Sequence, residues 1–323
     1  MVIAESNNNI IDGLGYSKII KQYITKLNNQ LKEKYNICPQ IAIILVGNNI
    51  ASEIYVRNKI KLANEIGIIA NVIRFNIDIT EEEILKQIEN INNNNDIDGV
   101  IVQLPLPMHI NKDKVLLSIS PRKDIDGLNP FNVGLLTNSG NVPYKIDEIF
   151  KYNNVNDDFI NKFANLGKTV PFIPCTPLGC LYLIEETLKK MNNDIVGKNA
   201  VIIGNSNLVS KPMARVLLQS GATTTTLHSK SIDKEYFLSH ADIIVSATGK
   251  KQELKNIKTN AILIDVGIRQ KENEKDKITG DLDFYTIAKT NRITPVPRGV
   301  GPMTVISLMI NAIFSSIKRL SNS

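Results

Sequence analysis

The feature that most constrains this chain is an alternation of short apolar runs with amphipathic segments. "IAIILVG" (41–47), "SEIYVRNKIKLANEIG" (52–67), "NVIRFNI" (71–77), the stretch opening at Thr80, and "DGVIVQLPLP" (98–107) read as strand, helix, strand, helix, strand. Apolar runs this short suit strands covered on both faces, and strands in that order need helical crossovers, so the pattern predicts a parallel sheet. Ser52 is the expected N-cap of the first of these helices and Gly67 its stop, while Thr80 with Glu83 predicts a capping box for the next. A second series begins with the helix "TPLGCLYLIEETLKK" (176–190) and runs through "NAVIIG" (199–204), "TTTTLH" (223–228), "ADIIVSATG" (241–249) and "AILIDVG" (261–267). That spacing fits a dinucleotide-binding sheet.

Between the two series, residues 138–170 are polar, Asn-rich and weakly periodic, and read as an inserted lobe or mobile excursion between domains. The expected fold class is therefore α/β with two domains: an N-terminal αβα domain (1–137) and a C-terminal Rossmann-like dinucleotide-binding domain (171–292). Residues 293–323 form a loop and a last helix that returns to the N-terminal domain.

A chain of 323 residues, 43% hydrophobic and 22% charged, has the size for two cores. Its formal charge of +6 is spread along the sequence and not gathered into a stripe interleaved with aromatics, which argues against a nucleic-acid partner and suits small anionic ligands. No uninterrupted apolar run reaches the roughly 18 residues of a membrane span, and "MVIAESNNNIIDG" lacks the pattern of a secretory signal. Cys38, Cys175 and Cys180 form no even framework and no His stands near the latter two at zinc-ligand spacing, so unpaired thiols and no metal are expected. The expected location is the cytoplasm, with an organelle as the alternative.

Three constellations could carry chemistry. Tyr55 and Lys59 lie one helical turn apart on one face, with Ser52 a turn earlier. A lysine so placed is ordinarily a solvated charge, but this helix follows a strand ending in Gly47, and open parallel sheets bind ligands at the carboxyl ends of their strands. Gln103 ends another strand, and "PRKDIDGLNP" brings Asp124 and Asp126 to the same edge; a turn-closing role for Gln103 and a simple turn role for Asp126 before Gly127 stand as alternatives. In "VIIGNSNLVSKP" (201–212) a strand ends at Gly204, Ser206 follows, and a helix begins near Lys211, so amides at the helix mouth could hold a pyrophosphate. Ser206 and Ser210 depart from the G-x-G-x-x-G pattern. The next strand ends "LHSK" without the carboxylate that holds a free ribose 2′-hydroxyl, and Ser229 with Lys230 there favours a phosphorylated cofactor. Last, "ITPVPRGVGPMT" (293–304) concentrates proline and glycine into a rigid loop that could lie flat on a planar ligand or serve as an interdomain turn.

Taken together and in this order, "SEIYVRNK", "GVIVQLPLP", "SPRKDIDGLNPFNVG", "FIPCTPLGC", "VIIGNSNLVSKP", "IDVGI" and "TPVPRGVGPMT" closely resemble the bifunctional methylenetetrahydrofolate dehydrogenase/cyclohydrolase family. The resemblance implies oxidation of 5,10-methylenetetrahydrofolate with NADP or NAD, hydrolysis of the methenyl product to 10-formyltetrahydrofolate, a cleft between domains for both, and a homodimer. It makes Lys59 the cyclohydrolase lysine, Tyr55 the ring that stacks on folate, Gln103 the amide that tunes the lysine, and Asp126 the anchor of the pterin. Ser52, Val102 and Leu104 join the folate contacts, and Pro297, Arg298, Gly299, Val300 and Gly301 form the folate-facing loop. Gly204, Asn205, Ser206, Ser229, Lys230, Ile268 and Thr304 are the implied cofactor contacts.

Three positions depart from the family pattern. Asn205 replaces an arginine that many members direct at the 2′-phosphate, for which Lys230 is the candidate substitute; Ser210 replaces a glycine; Arg298 replaces another, at a backbone expected to be permissive, the alternative being a guanidinium with a task such as meeting a glutamate carboxylate. The alternatives are a monofunctional dehydrogenase or cyclohydrolase of this family, an NAD-dependent variant, and a dehydrogenase of a different carbonyl or hydroxy substrate. The last has no use for Tyr55, Lys59 and Gln103.

Overall fold

Six consecutive apolar residues make Gln40–Val46 (β1) a strand that can only sit at the centre of a sheet, and every residue after Gln40 is buried. In the computed structural model, which describes residues 9–152, 154–271 and 274–322, β1 lies between Ile69–Phe75 (β2) and Gly99–Val102 (β3), all parallel. The connecting helices are Ile50–Ile66 and Glu81–Asn93. The second has the expected capping box, with Thr80 and Glu83 satisfying each other's amides. The first begins three residues earlier than expected: Asn49 is its N-cap, its Oδ1 accepting from Ser52 N at 3.0 Å, and Gly67 closes it in the left-handed conformation. Sequence alone favoured Ser52 because both residue types cap well; the position of the strand end decides between them.

The second sheet is parallel throughout, in the order β10-β7-β6-β4-β5, formed by Asn199–Ile203 (β4), Thr223–Leu227 (β5), Ile243–Ser246 (β6), Ile262–Asp265 (β7) and Arg292–Ile293 (β10). A small antiparallel pair, Arg269–Lys271 (β8) and Glu274–Thr279 (β9), lies outside it. Four of the five parallel strands are those read from the sequence. The fifth, β10, carries two residues and no detectable pattern.

Two units result, one around each parallel sheet. The three-stranded unit comprises 19–139, 143–175 and 305–323; the five-stranded unit comprises the residues up to 18, 140–142 and 176–304. Residues 9–18 differ from the expected division, and Ile10 bridges Ile293 while Ile11 N donates to the Ile293 carbonyl at 3.0 Å; residues 1–8 lie outside the described ones. The last helix is Val300–Ser316; its residues to Thr304 belong to the five-stranded unit and those from Val305 on to the three-stranded unit. The stretch Val300–Leu320 is long and apolar enough to cross a membrane, but 78% of its apolar 18-residue window is buried within the protein.

The segment 138–170 is not an excursion. It supplies the helices Ile146–Ile149 and Asp157–Phe163 to the three-stranded unit and buries Tyr144, Ile146, Ile149, Val155, Phe159 and Phe163. The Phe163 ring stacks on Phe314 with centroids 3.7 Å apart. Its apolar residues are separated by Asn, Asp and Lys at irregular intervals, so the periodicity that reveals a packed element is missing although the packing is not.

Candidate active site

In the three-stranded sheet the chain leaves β1 for β2 on one side and returns to β3 on the other, so a crevice opens at the carboxyl ends of β1 and β3. The helix Ile50–Ile66 springs from β1 and the Gln103 side chain follows β3, which brings the expected residues to one place. Lys59 Nζ donates to Gln103 Oε1 at 3.0 Å, and the other end of that amide, Nε2, donates to the Leu104 carbonyl at 2.8 Å. Gln103 therefore faces the lysine with its acceptor, held so by both contacts and by its own N–H to the Ile44 carbonyl at 2.9 Å. Lys59 is half-buried while Arg57, Asn58 and Lys61 around it are exposed, which separates it from the solvated charges of the same helix. Tyr55, one turn back, is also half-buried, and burial raises its phenol. Ser52 and Val102 are buried, each 3% exposed, and Leu104 is partly buried.

The two aspartates of "DIDG" divide their labour. Asp124 is buried and accepts from Leu128 N, Asn129 N and Asn132 Nδ2 at 3.1, 2.8 and 2.8 Å, so it holds the loop together. Burial pushes its carboxyl up to about 7 against those donors. Asp126 is only partly buried, and its backbone carbonyl accepts from Cys175 N at 3.4 Å. Burial, with the Asp126 carboxylate beside it, pushes the Cys175 thiol well up; its Sγ donates to the Ile125 carbonyl at 3.3 Å. An uncharged thiol thus lies against the Asp126 side chain.

In the five-stranded unit the equivalent reversal lies at β4, with β5 on one side and β6 on the other. Gly204 ends β4 with φ 139°, and a Cβ there would lie 2.5 Å from Ser210 Oγ and 2.8 Å from the Ala247 carbonyl, so the backbone can turn and remain open only as glycine. The helix beyond is Ser210–Gln219. The amides at its mouth are not free as expected: Val209 N and Ser210 N donate to Ser206 Oγ at 3.1 and 3.2 Å, and Lys211 N to the Ser206 carbonyl. A hydroxyl-bearing residue in this loop caps the helix where glycine would leave donors open. Asn205, Ser229 and Lys230 are exposed, and Ile268 follows β7 at 48% exposure. Thr304 pairs with Thr176, hydroxyl to hydroxyl, at 3.1 Å.

The loop 297–301 belongs to this same unit, where the Leu14 amide donates to the Arg298 carbonyl at 2.9 Å. Arg298 has φ 86°. The expectation of a permissive backbone is corrected: the position is left-handed, and a residue with a Cβ stands there at a cost of about 1–2 kcal/mol. A buried carboxylate pair went unnoticed in the sequence. Asp265 accepts from Gly267 N, Asp281 N and Leu282 N, and Asp281 accepts from Ser246 Oγ, Thr248 N and Thr248 Oγ1, tying together the loops after β6 and β7. The "IDVG" and "GDLD" fragments carry both residues, but nothing local says that they meet.

The chain matches two family models: tetrahydrofolate dehydrogenase/cyclohydrolase, catalytic domain, over residues 11–126, and the NAD(P)-binding domain of the same family over 174–320. Among curated proteins it is similar to a bifunctional protein FolD of Rickettsia bellii, 41% identical over 95% of this chain and 97% of that one. One from Staphylococcus aureus strain Newman is 38% identical over 96% and 97%. Among solved structures it resembles the bifunctional FolD enzyme of Campylobacter jejuni, with a TM-score of 0.81, 40% identity, and 96% of this chain and 99% of that one covered. The Trypanosoma brucei dehydrogenase-cyclohydrolase, solved with NADP cofactor and an inhibitor, gives 0.80 at 30% identity over 97% and 98%.

Proposed function

The chain belongs to the tetrahydrofolate dehydrogenase/cyclohydrolase family, and on that premise we propose that it oxidises 5,10-methylenetetrahydrofolate to the methenyl form and hydrolyses that to 10-formyltetrahydrofolate. The observation that carries the reading is the Lys59–Gln103 contact of 3.0 Å at the end of β3. The Gln103 oxygen takes one N–H of the amine and so fixes where the rest of that nitrogen points. Lys59 is the general base of the hydrolysis, and Gln103 aims it. Tyr55 offers the half-buried ring for stacking on the pterin, Asp126 offers carboxylate oxygens to its N–H groups, and Ser52, Val102 and Leu104 complete the folate contacts of this unit.

The phosphorylated dinucleotide NADP, when bound, accepts the hydride that leaves the one-carbon bridge; this step asks no acid or base of the protein, only orientation. The residues present fit that group. Gly204 leaves the turn after β4 open, while His228, Ser229 and Lys230 after β5 present donors and a cation with no carboxylate among them. Lys230 takes the 2′-phosphate and Asn205, Ser206, Ile268 and Thr304 line the remainder. The assembly is a homodimer in the cytoplasm, without nucleic acid or membrane as partner.

The decisive variant is Lys59→Met. Methenyl hydrolysis should fall by about 10²–10⁴-fold, the range a positioned acid or base supplies, while folate binding persists. Near-normal hydrolysis would remove Lys59 from the mechanism.

A further inference from the structure

The segment 138–170 has no part in the reading above, yet it delivers one polar group to the loop that carries Asp126. Tyr144 is 2% exposed; its hydroxyl accepts from Ile173 N at 2.9 Å and donates to Asn311 Oδ1 at 2.9 Å. The Asn311 Nδ2 in turn donates to the Ile125 carbonyl at 2.9 Å and the Ile173 carbonyl at 3.1 Å, and lies 3.6 Å from Cys175 Sγ. Ile125 is bonded to Asp126, and Cys175 touches Asp126 through both its amide and its thiol. The two strands of chain that frame the Asp126 carboxylate are therefore clasped by one amide.

An asparagine amide can face either way, and here the two carbonyls and the phenol settle the direction together. With the Tyr144 hydroxyl donating to Oδ1, Nδ2 must point at the two carbonyls. Without that donor, Oδ1 is left buried and unpaired and Ile173 N loses its acceptor, so the two carbonyls alone hold the amide and its clasp on the Ile125 carbonyl loosens. We infer that Tyr144 is a positioning residue for folate binding, acting through Asn311 on the Ile125–Asp126 peptide and so on the carboxylate that meets the pterin. The inference rests on the assignment of Asp126 as the folate anchor.

The test is a cycle of Tyr144→Phe, Asp126→Asn and the double variant, read as KM and kcat for 5,10-methylenetetrahydrofolate. Tyr144→Phe should raise KM about tenfold with kcat changed less than about threefold, and in the Asp126→Asn background the same substitution should change KM less than about twofold. Phe163→Leu loosens the same segment without touching the hydroxyl and should leave KM within about twofold of wild type. An unchanged KM in Tyr144→Phe, an equal effect in both backgrounds, or an equal rise in Phe163→Leu would each overturn the inference. If Asp126→Asn itself leaves folate affinity intact, it is the anchor assignment that fails, and the inference falls with it.

Discussion

Replacing Arg298 by glycine should stabilise the protein, against the usual sign of a point mutation. The residue holds φ 86°, where a Cβ is strained by about 1–2 kcal/mol. Glycine removes that strain but gives the unfolded chain more freedom, which costs about 0.4–1 kcal/mol. The side chain adds little to set against this: it is exposed, and its guanidinium has no hydrogen-bond or ion-pair partner among the described residues. The bond that fixes the loop, from Leu14 N to the Arg298 carbonyl, is a backbone one and survives the change. The net gain is about 0.5–1 kcal/mol, or a rise of about 1–4 °C in the midpoint of a unit of this size. Urea unfolding of Arg298→Gly and Arg298→Ala side by side supplies the assay. Alanine keeps the Cβ and should stay within about 0.5 kcal/mol of wild type, so a gain confined to glycine identifies strain as its source. A loss of stability in Arg298→Gly would refute the reasoning and show the left-handed backbone to be no burden.

Phe163→Ala should cost about 3–5 kcal/mol in urea unfolding, because the ring is 2% exposed and stacked on Phe314; a loss under 1 kcal/mol would mean that 138–170 is separable after all. Lys230→Ser should raise the KM for NADP about tenfold or more and leave that for NAD unchanged, measured as dehydrogenase rates with each cofactor. Lys318 supplies a pH test. Burial drives its ammonium down to about 7 from an unfolded value of 10.5, so between those limits the unfolded chain holds the extra proton. Stability relative to Lys318→Met should accordingly rise as pH climbs from about 7 to about 10, and a flat or falling difference in that window would contradict the assignment.

The order of elements was legible because a run such as "IAIILV" has no exposed face to offer water and must be a central strand wherever it occurs. The same local logic put Tyr55 and Lys59 on one helix face and made the Thr80–Glu83 cap readable, since helical periodicity and capping act within a few residues. Arg298 shows the boundary of such reasoning: the departure from glycine was visible in the sequence, but whether the backbone there is left-handed depends on what the loop rests against.

Everything that joins distant residues belonged to the tertiary structure. Lys59 meets Gln103 across 44 positions only because β3 pairs with β1, and Tyr144 meets Asn311 across 167 because scattered aromatics from 138–170 pack on the last helix. A sequence carries the polarity and geometry of each side chain, and these suffice to say which surfaces must be buried. Which buried surfaces face each other is decided by burying them all at once, and a contact such as the 3.0 Å one between Lys59 and Gln103 exists only after that choice is made.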